Sequence, residues 1–431
     1  MTKLVPLLPV QDRFTGRLDI FWSKAWTVPG EETGITWHAA SNVEELSSAG
    51  LARKYKFMMR WTREQALEKI ANPNKREKLF KMIGAAHMWR NITIEQARDL
   101  MEIHNLSCTA ILPEILTVPW ALNTIQLGRL SDLPGASTLW IIRPGTTFDE
   151  QLKDQMTYRE KIGVFGGRYE GAHGMYVRHN MLNTELSLRV SEHHIDDIPL
   201  VMGEGLATAK MLIPEFARRP ARMSMGDSVW VRNDGLRIII EVSNNVSQIV
   251  GKSENWAKSI ALEQISANTL ALCFVIPGMN RKTNWTAYVQ DKLREDVYAV
   301  LSGRGYNADY IASRIFVVGW EEWFPAMHEL DKRFTTLDVH AVQRGRGVVS
   351  LLDPFAISCD ADPDKVQQTM KNASFLYGVP NRMRAMHKDA TLNMYELARN
   401  VEREAANRLK IRSEERYPDV ATTSPQGGNQ W

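Results

Sequence analysis

The sequence predicts an α/β chain, α+β overall, in which three helices and a hairpin precede an alternating α and β region and a helical C-terminal region. Three observations predict it. Residues 75–121 carry apolar positions at helical spacing, residues 125–144 are β-prone around a Pro-Gly turn, and between 177 and 320 apolar runs of strand length alternate with helical stretches. With 431 residues and 44% hydrophobic side chains, the chain is long enough to bury more than one module. Lys+Arg at 53 against Asp+Glu at 50 gives +3, which neither demands nor excludes a polyanionic partner. Cys108, Cys273 and Cys359 are too few and too dispersed for a disulfide framework or a four-thiolate zinc cluster, and they point to a reducing compartment. No apolar run approaches the roughly 20 residues that span a bilayer, and MTKLVPLLPVQDRF lacks a signal-peptide layout. The expectation is a cytoplasmic protein with no membrane partner.

Residues 1–74 carry Trp22, Trp26, Trp37 and Trp61 among Pro29, Gly30 and Gly34 without a clean period, and form a Trp-rich segment of unassigned fold. From Lys75, KREKLFKMIGAAHMWR sets Leu79, Met82 and Ile83 at helical spacing, and Asn91 breaks the pattern. Thr93 then caps a second helix with Gln96 as capping-box partner, and Ala97, Leu100, Met101 and His104 follow one face. TAILPEIL makes a third helix with Pro113 in its first turn. IQLGRL and STLWIIRPG are β-prone and joined by the loop SDLPGA. Three helices followed by a hairpin, within residues 75–150, is the order of a winged helix-turn-helix. Such a module lays its third helix in a DNA major groove and its hairpin on the backbone, or docks proteins instead. No Arg or Lys lies between Ala110 and Ala121, so Arg129 and Arg143 on the hairpin are the expected phosphate contacts.

GVFGGRYEGAHG reads as a connector, without the preceding strand or spacing of a dinucleotide loop. Residues 172–352 then alternate in type. MYVRHNMLNTELSLRVSEHH is expected as a helix, with Met181, Glu185, Leu188 and Arg189 in register along part of its surface. SVWVRN and LRIIIEVS are strands joined through Asn233, Asp234 and Gly235, the residues of an antiparallel hairpin turn. KSENWAKSIALEQISA follows as a helix, TLALCFVIPG as a buried strand, TAYVQDKLREDVYAVLSG as a helix and SRIFVVGW as another strand; TLDVHAVQRGRGVVSLLD adds a strand or hairpin. Residues 353–415 are a helical C-terminal region whose long amphipathic stretch bears Leu392, Tyr395, Leu397 and Val401, and either docks on the core or joins two copies. Residues 416–431, ending TTSPQGGNQW, are too poor in apolar side chains to fold alone.

Asp227 opens the first hairpin strand and Glu241 closes the apolar run LRIII. A buried carboxylate needs a partner or a shifted pKa, and a divalent cation is one such partner. Two carboxylates on neighbouring strands can hold Mg²⁺ beside a phosphodiester. Glu185, from the preceding helix, is the expected third ligand, and Lys252 the expected cation for charge developing on the phosphate. The plainer reading makes Asp227 a turn residue, Glu241 a partner of Arg237 or Lys252, and Glu185 and Lys252 solvated helix residues.

Taken together, VRHNMLNTELSLRV, GEGLA, RMSMGDSVWVRNDGLRIIIEVSNN, GKSENWAKSI and TLALCFVIPG resemble the catalytic-domain pattern of the replication-relaxation family, proteins of plasmids and other mobile elements. The resemblance spans roughly residues 75–280 and implies a winged helix followed by a domain similar to the PD-(D/E)xK nucleases. By position it makes Glu185 the helix carboxylate, Asp227 the first strand acid and Glu241 the second. Ser243 departs from the pattern, which places Lys two residues beyond the second acid. The cationic role has either moved to Lys252 or been lost, as in members that only bind DNA.

Arg218, Arg219 and Arg222 precede the Asp227 strand, where they are placed to steer nucleic acid, and Arg344 and Arg346 form a second basic group. Val246 stands where a phosphate-binding loop ending in Gly251, Lys252 and Ser253 needs its first Gly, which excludes that class of ATPase. His193, His194, Asp196 and Asp197 are metal-ligand types, and Trp320 and Trp323 are base-stacking types, but such groups are more commonly structural. Two functions stay open. One is a Mg²⁺- or Mn²⁺-dependent DNA endonuclease of a plasmid, phage or other mobile element, acting in replication or transfer. The other is a non-catalytic DNA-binding adaptor or regulator needing no cofactor. DNA is the expected partner, with other replication or transfer proteins and a second copy of the chain beside it.

Overall fold

The computed structural model describes residues 5–6, 17–22, 35–40, 60–103, 106, 113–130, 139–145, 149–165, 176–204, 226–243, 252–253, 256–257, 260–261, 268–276, 284–302 and 307–386. Two short strands, β1 (Val5–Pro6) and β2 (Ile35–His38), come first. Thr62 and Asn72 then cap α1 (Arg63–Ala71) and α2 (Pro73–Trp89), with Pro73 at a first-turn position where its missing N–H removes no helical bond. Thr93 ends β3 (Ile92–Thr93) and caps α3 (Ile94–Met101) in the expected box with Gln96.

The third helix of the sequence reading is displaced toward the C-terminus: α4 runs Glu114–Ala121, and Pro113 is its N-cap. Residues 107–112 and His104 lie outside the described residues. Leu116, Thr117, Val118, Pro119 and Trp120 of α4 are buried, Trp61 Nε1 donates to Thr117 Oγ1 at 3.0 Å, and Glu114 pairs with Lys69 and Lys75. A helix packed this way, with an acid at its start, has little to insert into a major groove. The hairpin strands β4 (Ile125–Leu130) and β5 (Leu139–Pro144) pair antiparallel in a sheet of order β2-β4-β5-β3. Part of the Trp-rich segment is therefore the outer strand of this sheet, and the expected loop at 131–138 falls outside the described residues. Two short helices, α5 (Glu150–Gln155) and α6 (Tyr158–Phe165), follow.

The alternating region builds a seven-stranded mixed sheet. Its elements are α7 (Val177–His193), β6 (Leu200–Gly203), β7 (Ser228–Val231), β8 (Arg237–Ser243), β9 (Thr269–Val275), α8 (Trp285–Ser302), α9 (Ala308–Ala312), β10 (Ile315–Gly319), α10 (Trp320–Trp323), β11 (Glu329–Leu330), α11 (Lys332–Thr335), β12 (Asp338–Ala341) and β13 (Val348–Ser350). The sheet order is β13-β12-β10-β9-β8-β7-β6, parallel across β8-β9-β10 and antiparallel elsewhere, while β1 pairs with β11. The expected β7–β8 hairpin turns through Gly235, whose φ is 92°, but β6 was not anticipated. Residues 252–253, 256–257 and 260–261 are helical. The C-terminal part adds α12 (Pro363–Ala373) and α13 (Asn381–Ala385); the amphipathic stretch from 389 lies outside the described residues.

Both faces of the central strands are covered, which is why LRIII and TLALCFV read as unbroken apolar runs. Ile238, Ile240, Leu272 and Phe274 pack with Leu186 of α7, and Ala271, Cys273 and Val275 pack with Val289, Leu293 and Val297 of α8. The first of these cores continues without a break through Met82 and Trp89 of α2, Leu100 of α3 and Leu376. Gly203 permits that continuity, because a Cβ there would stand 2.6 Å from the Met88 carbonyl and from the Trp89 ring. The end of α2 thus rests directly on the end of β6. No helix among the described residues is long and apolar enough to cross a membrane.

Candidate functional site

Asp227 stands one residue before β7, after Gly226, whose φ of 76° and lack of a Cβ let the backbone pass the Ile240 carbonyl. The Asp227 N–H donates to Ile240 O at 2.7 Å, and the Val242 N–H donates to Asp227 Oδ2 at 2.8 Å. The other carboxylate oxygen, Oδ1, lies 2.9 Å from His179 Nε2. Asn183 Nδ2 donates to the Asp227 carbonyl at 2.9 Å, and Ser228 Oγ donates to Asn183 Oδ1 at 2.7 Å. His179, Asn183 and Ser187 recur at every fourth residue of α7, so one polar stripe of that helix runs along β7 as far as the Trp230 indole, which donates to Ser187 Oγ at 3.2 Å.

Glu241 lies near the end of β8, opposite the buried Cys273 of β9. Its Oε1 pairs with the Lys252 ammonium, and its Oε2 is buried with no hydrogen-bond partner among the described residues. Asp227, Glu241 and Lys252 therefore meet, with His179 as a fourth member that the sequence reading missed. Burial, followed by the charge of Asp227, raises the Glu241 pKa to about 7, although Lys252 draws it down. Burial also opposes ionisation of Asp227, but His179, Lys252 and the Val242 N–H outweigh it and leave Asp227 below its ordinary value. For His179 and Lys252, burial disfavours the charged form and the neighbouring carboxylates overcome it, so both pKa values are raised. Burial pushes the Cys273 thiol well above its ordinary range, which leaves it unreactive.

Glu185 is a correction. Its Oε1 accepts from Arg17 Nη2 at 3.1 Å and Arg189 Nε at 3.0 Å, and its Oε2 accepts from Gln96 Nε2 at 3.3 Å. These donors occupy the carboxylate and hold it below its ordinary pKa despite burial, so it does not join Asp227 and Glu241 as a cation ligand. Arg17 Nη1 also donates to Asp99 at 2.7 Å and to Glu192 at 3.0 Å, while Arg189 Nη2 lies 3.0 Å from Asp19.

The remaining expectations fall as follows. Arg129 is exposed on β4; Arg143 lies over the Trp37 ring at 3.8 Å and donates to Gln126 at 2.8 Å. Arg218, Arg219 and Arg222 lie outside the described residues. Arg344 stacks on Tyr298 and Arg346 bonds the carbonyl of Ala356. His193 and His194 pack on Phe334, Trp320 stacks on Trp22, and Trp323 is fully buried, so neither tryptophan is open to a base. Among the described residues, no three His, Cys, Asp or Glu side chains are gathered closely enough to hold a metal ion as they stand. The two strand carboxylates do suit one, because the orphaned Glu241 oxygen sits beside the Asp227 charge in a site where Lys252 already supplies one cation.

No protein-family model matches this sequence, and neither a curated protein nor a solved structure was found to match it.

Proposed function

We propose that the chain is a cytoplasmic DNA-binding protein of a mobile element that hydrolyses phosphodiester bonds with Mg²⁺ or Mn²⁺ at Asp227 and Glu241. Glu241 carries this reading: a buried carboxylate with one oxygen unpartnered and the other on Lys252 is costly to keep unless a ligand makes use of it. An acid opening one hairpin strand, a second closing its partner and a lysine on the next helix also form the arrangement that the resemblance to PD-(D/E)xK nucleases implies. The order α2, α3, α4, β4, β5 suits a winged helix, whose contact with DNA would rest on the hairpin and Arg129 rather than on α4.

A divalent cation between the two carboxylates would ease attack by water and neutralise charge on the phosphate. The chain's own part is positional and electrostatic. His179 and the Val242 N–H fix the Asp227 carboxylate, and Asn183 holds the main-chain carbonyl of the same residue, so it meets its ligand with little reorganisation. Glu241 must lose its proton to bind, which its pKa of about 7 allows at neutral pH. The ammonium of Lys252 stabilises negative charge developing on the phosphate.

Incubating supercoiled and single-stranded DNA with Mg²⁺ or Mn²⁺ tests this. Wild type should cut and Asp227→Ala should not, while both bind DNA with the same salt dependence. One specific pair of observations favours the second reading, a non-catalytic adaptor or regulator: Ser243 replaces the motif lysine, and Lys252 already pairs with Glu241. Salt-sensitive binding by a wild type that leaves DNA intact under both metals would assign it.

A further inference from the structure

Tyr176 stands immediately before α7, and its backbone has a φ of 97°. The left-handed region costs a bulky aromatic residue more than it costs Gly or Asn, and the Tyr176 side chain makes no cap bond to α7 in return. Nor does the ring serve the core, since 54% of the residue is exposed. Its contact is with the candidate site. The ring centroids of Tyr176 and His179 lie 6.2 Å apart, edge to face, and His179 Nε2 lies 2.9 Å from Asp227 Oδ1. Exposure falls steadily inward from that ring. Lys252 and His179 keep 34% and 25% of their side chains accessible, whereas Asp227 and Glu241 keep 11% and 4%. A nucleic acid therefore meets an aromatic face, an imidazole and an ammonium before it reaches the carboxylates, and a stacking face beside a cation is the combination that holds single strands.

One imidazole spans the space between the Tyr176 ring and the Asp227 carboxylate, so a phosphate held over the two acids has its neighbouring base within a nucleotide's reach of the ring. In duplex DNA that base is paired and stacked on both sides and has no face to offer. A single strand, or a frayed end, can turn the base onto the phenol ring while its backbone passes Lys252. We propose that Tyr176 is a base-stacking residue that makes single-stranded DNA the preferred ligand of this site. The inference rests on the phosphodiester reading of Asp227 and Glu241 and deepens it by naming the form of DNA that the site takes.

Fluorescence anisotropy with the full chain tests it, comparing a labelled single-stranded oligonucleotide with a blunt duplex of the same sequence. Ca²⁺ is the cation, because it binds carboxylate and phosphate oxygens without the octahedral geometry that Mg²⁺ imposes. Tyr176→Asn keeps a residue that tolerates the left-handed turn and removes the ring. It should weaken single-strand binding about tenfold and change duplex binding less than about twofold, while Tyr176→Phe should bind as wild type does. An abasic nucleotide scanned along the oligonucleotide should, at one position, cost wild type the same factor and cost Tyr176→Asn nothing further. Circular dichroism confirms folding, and Tyr176→Gly replaces the Asn variant if that chain does not fold. Unchanged single-strand affinity in Tyr176→Asn overturns the inference, as does an equal loss on both forms of DNA or a Tyr176→Phe variant as weak as Tyr176→Asn. Wild type that binds neither form overturns the DNA reading beneath it, a result distinct from these.

Discussion

Helix α7 reaches two buried acidic clusters that use the same residue types to opposite ends. Toward its C-terminus, Asp19, Asp99, Glu185 and Glu192 face Arg17, Arg98, Arg189 and Arg382, four acids against four guanidinium groups. Toward its N-terminus, Asp227 and Glu241 have one lysine, one histidine and an oxygen left over. Arginine forks saturate carboxylates and lock geometry; a single ammonium leaves capacity for a ligand. The difference teaches that burial of acids alone does not mark a site. What sets Glu241 apart is a carboxylate oxygen that no described donor reaches.

The comparison breaks most readily at Arg17. Arg17→Met strips three acids of a shared donor and should cost about 3–5 kcal/mol in urea unfolding, if it folds at all. A cost below about 1 kcal/mol would mean the saturated cluster does not hold the fold together. Glu241→Gln should have the opposite profile, with Mn²⁺ binding weakened about a hundredfold and unfolding free energy unchanged or increased, since it removes a buried like charge beside Asp227. Marked destabilisation would place Glu241 with the structural cluster. The pH dependence sharpens the contrast. Glu241 has its folded pKa raised to about 7, so its contribution to stability is present in acid and is lost as pH rises from the ordinary carboxylate range through about 7. The stability advantage of Glu241→Gln over wild type should therefore grow between about pH 5 and 8, while wild-type Mn²⁺ affinity rises about fivefold between pH 6 and 7. A flat difference across that range contradicts the raised value. Smallest is Thr93→Ala, which removes a capping box remote from the unsatisfied acids and should lower stability by about 1 kcal/mol with unaltered Mn²⁺ binding.

Local signals carried the fold where a few neighbouring residues decide it. The Thr93 and Gln96 box set the start of α3, and Asn-Asp-Gly set the β7–β8 hairpin. Strand β6 was missed because LVMG is too short to show a period. The third helix slid because an apolar run around Pro113 reads equally well on either side of it. Asp227 and Glu241 were legible because charged residues at the ends of apolar strands stand out from their surroundings. Glu185 misled because its partner Arg17 is 168 residues away, although Arg189, four residues on along the same helix, was a local sign that the carboxylate is already held. His179 had a signal that went unused: with Asn183 and Ser187 it forms a polar stripe at four-residue intervals on a helix buried from Asn180 to Ser191.

Residues 17–22 lie deep in the molecule, yet their partners are translated late. The Trp22 indole donates to the Phe324 carbonyl across 302 residues, and the His328 N–H donates to Asp19 across 309. A ribosome working through this message therefore displays Phe21 and Trp22 long before Trp320 and Phe324 exist to receive them. Residues 17–22 can take up these contacts only after Phe324 and His328 have been made, so their packing is a late step that closes a loop of some three hundred residues.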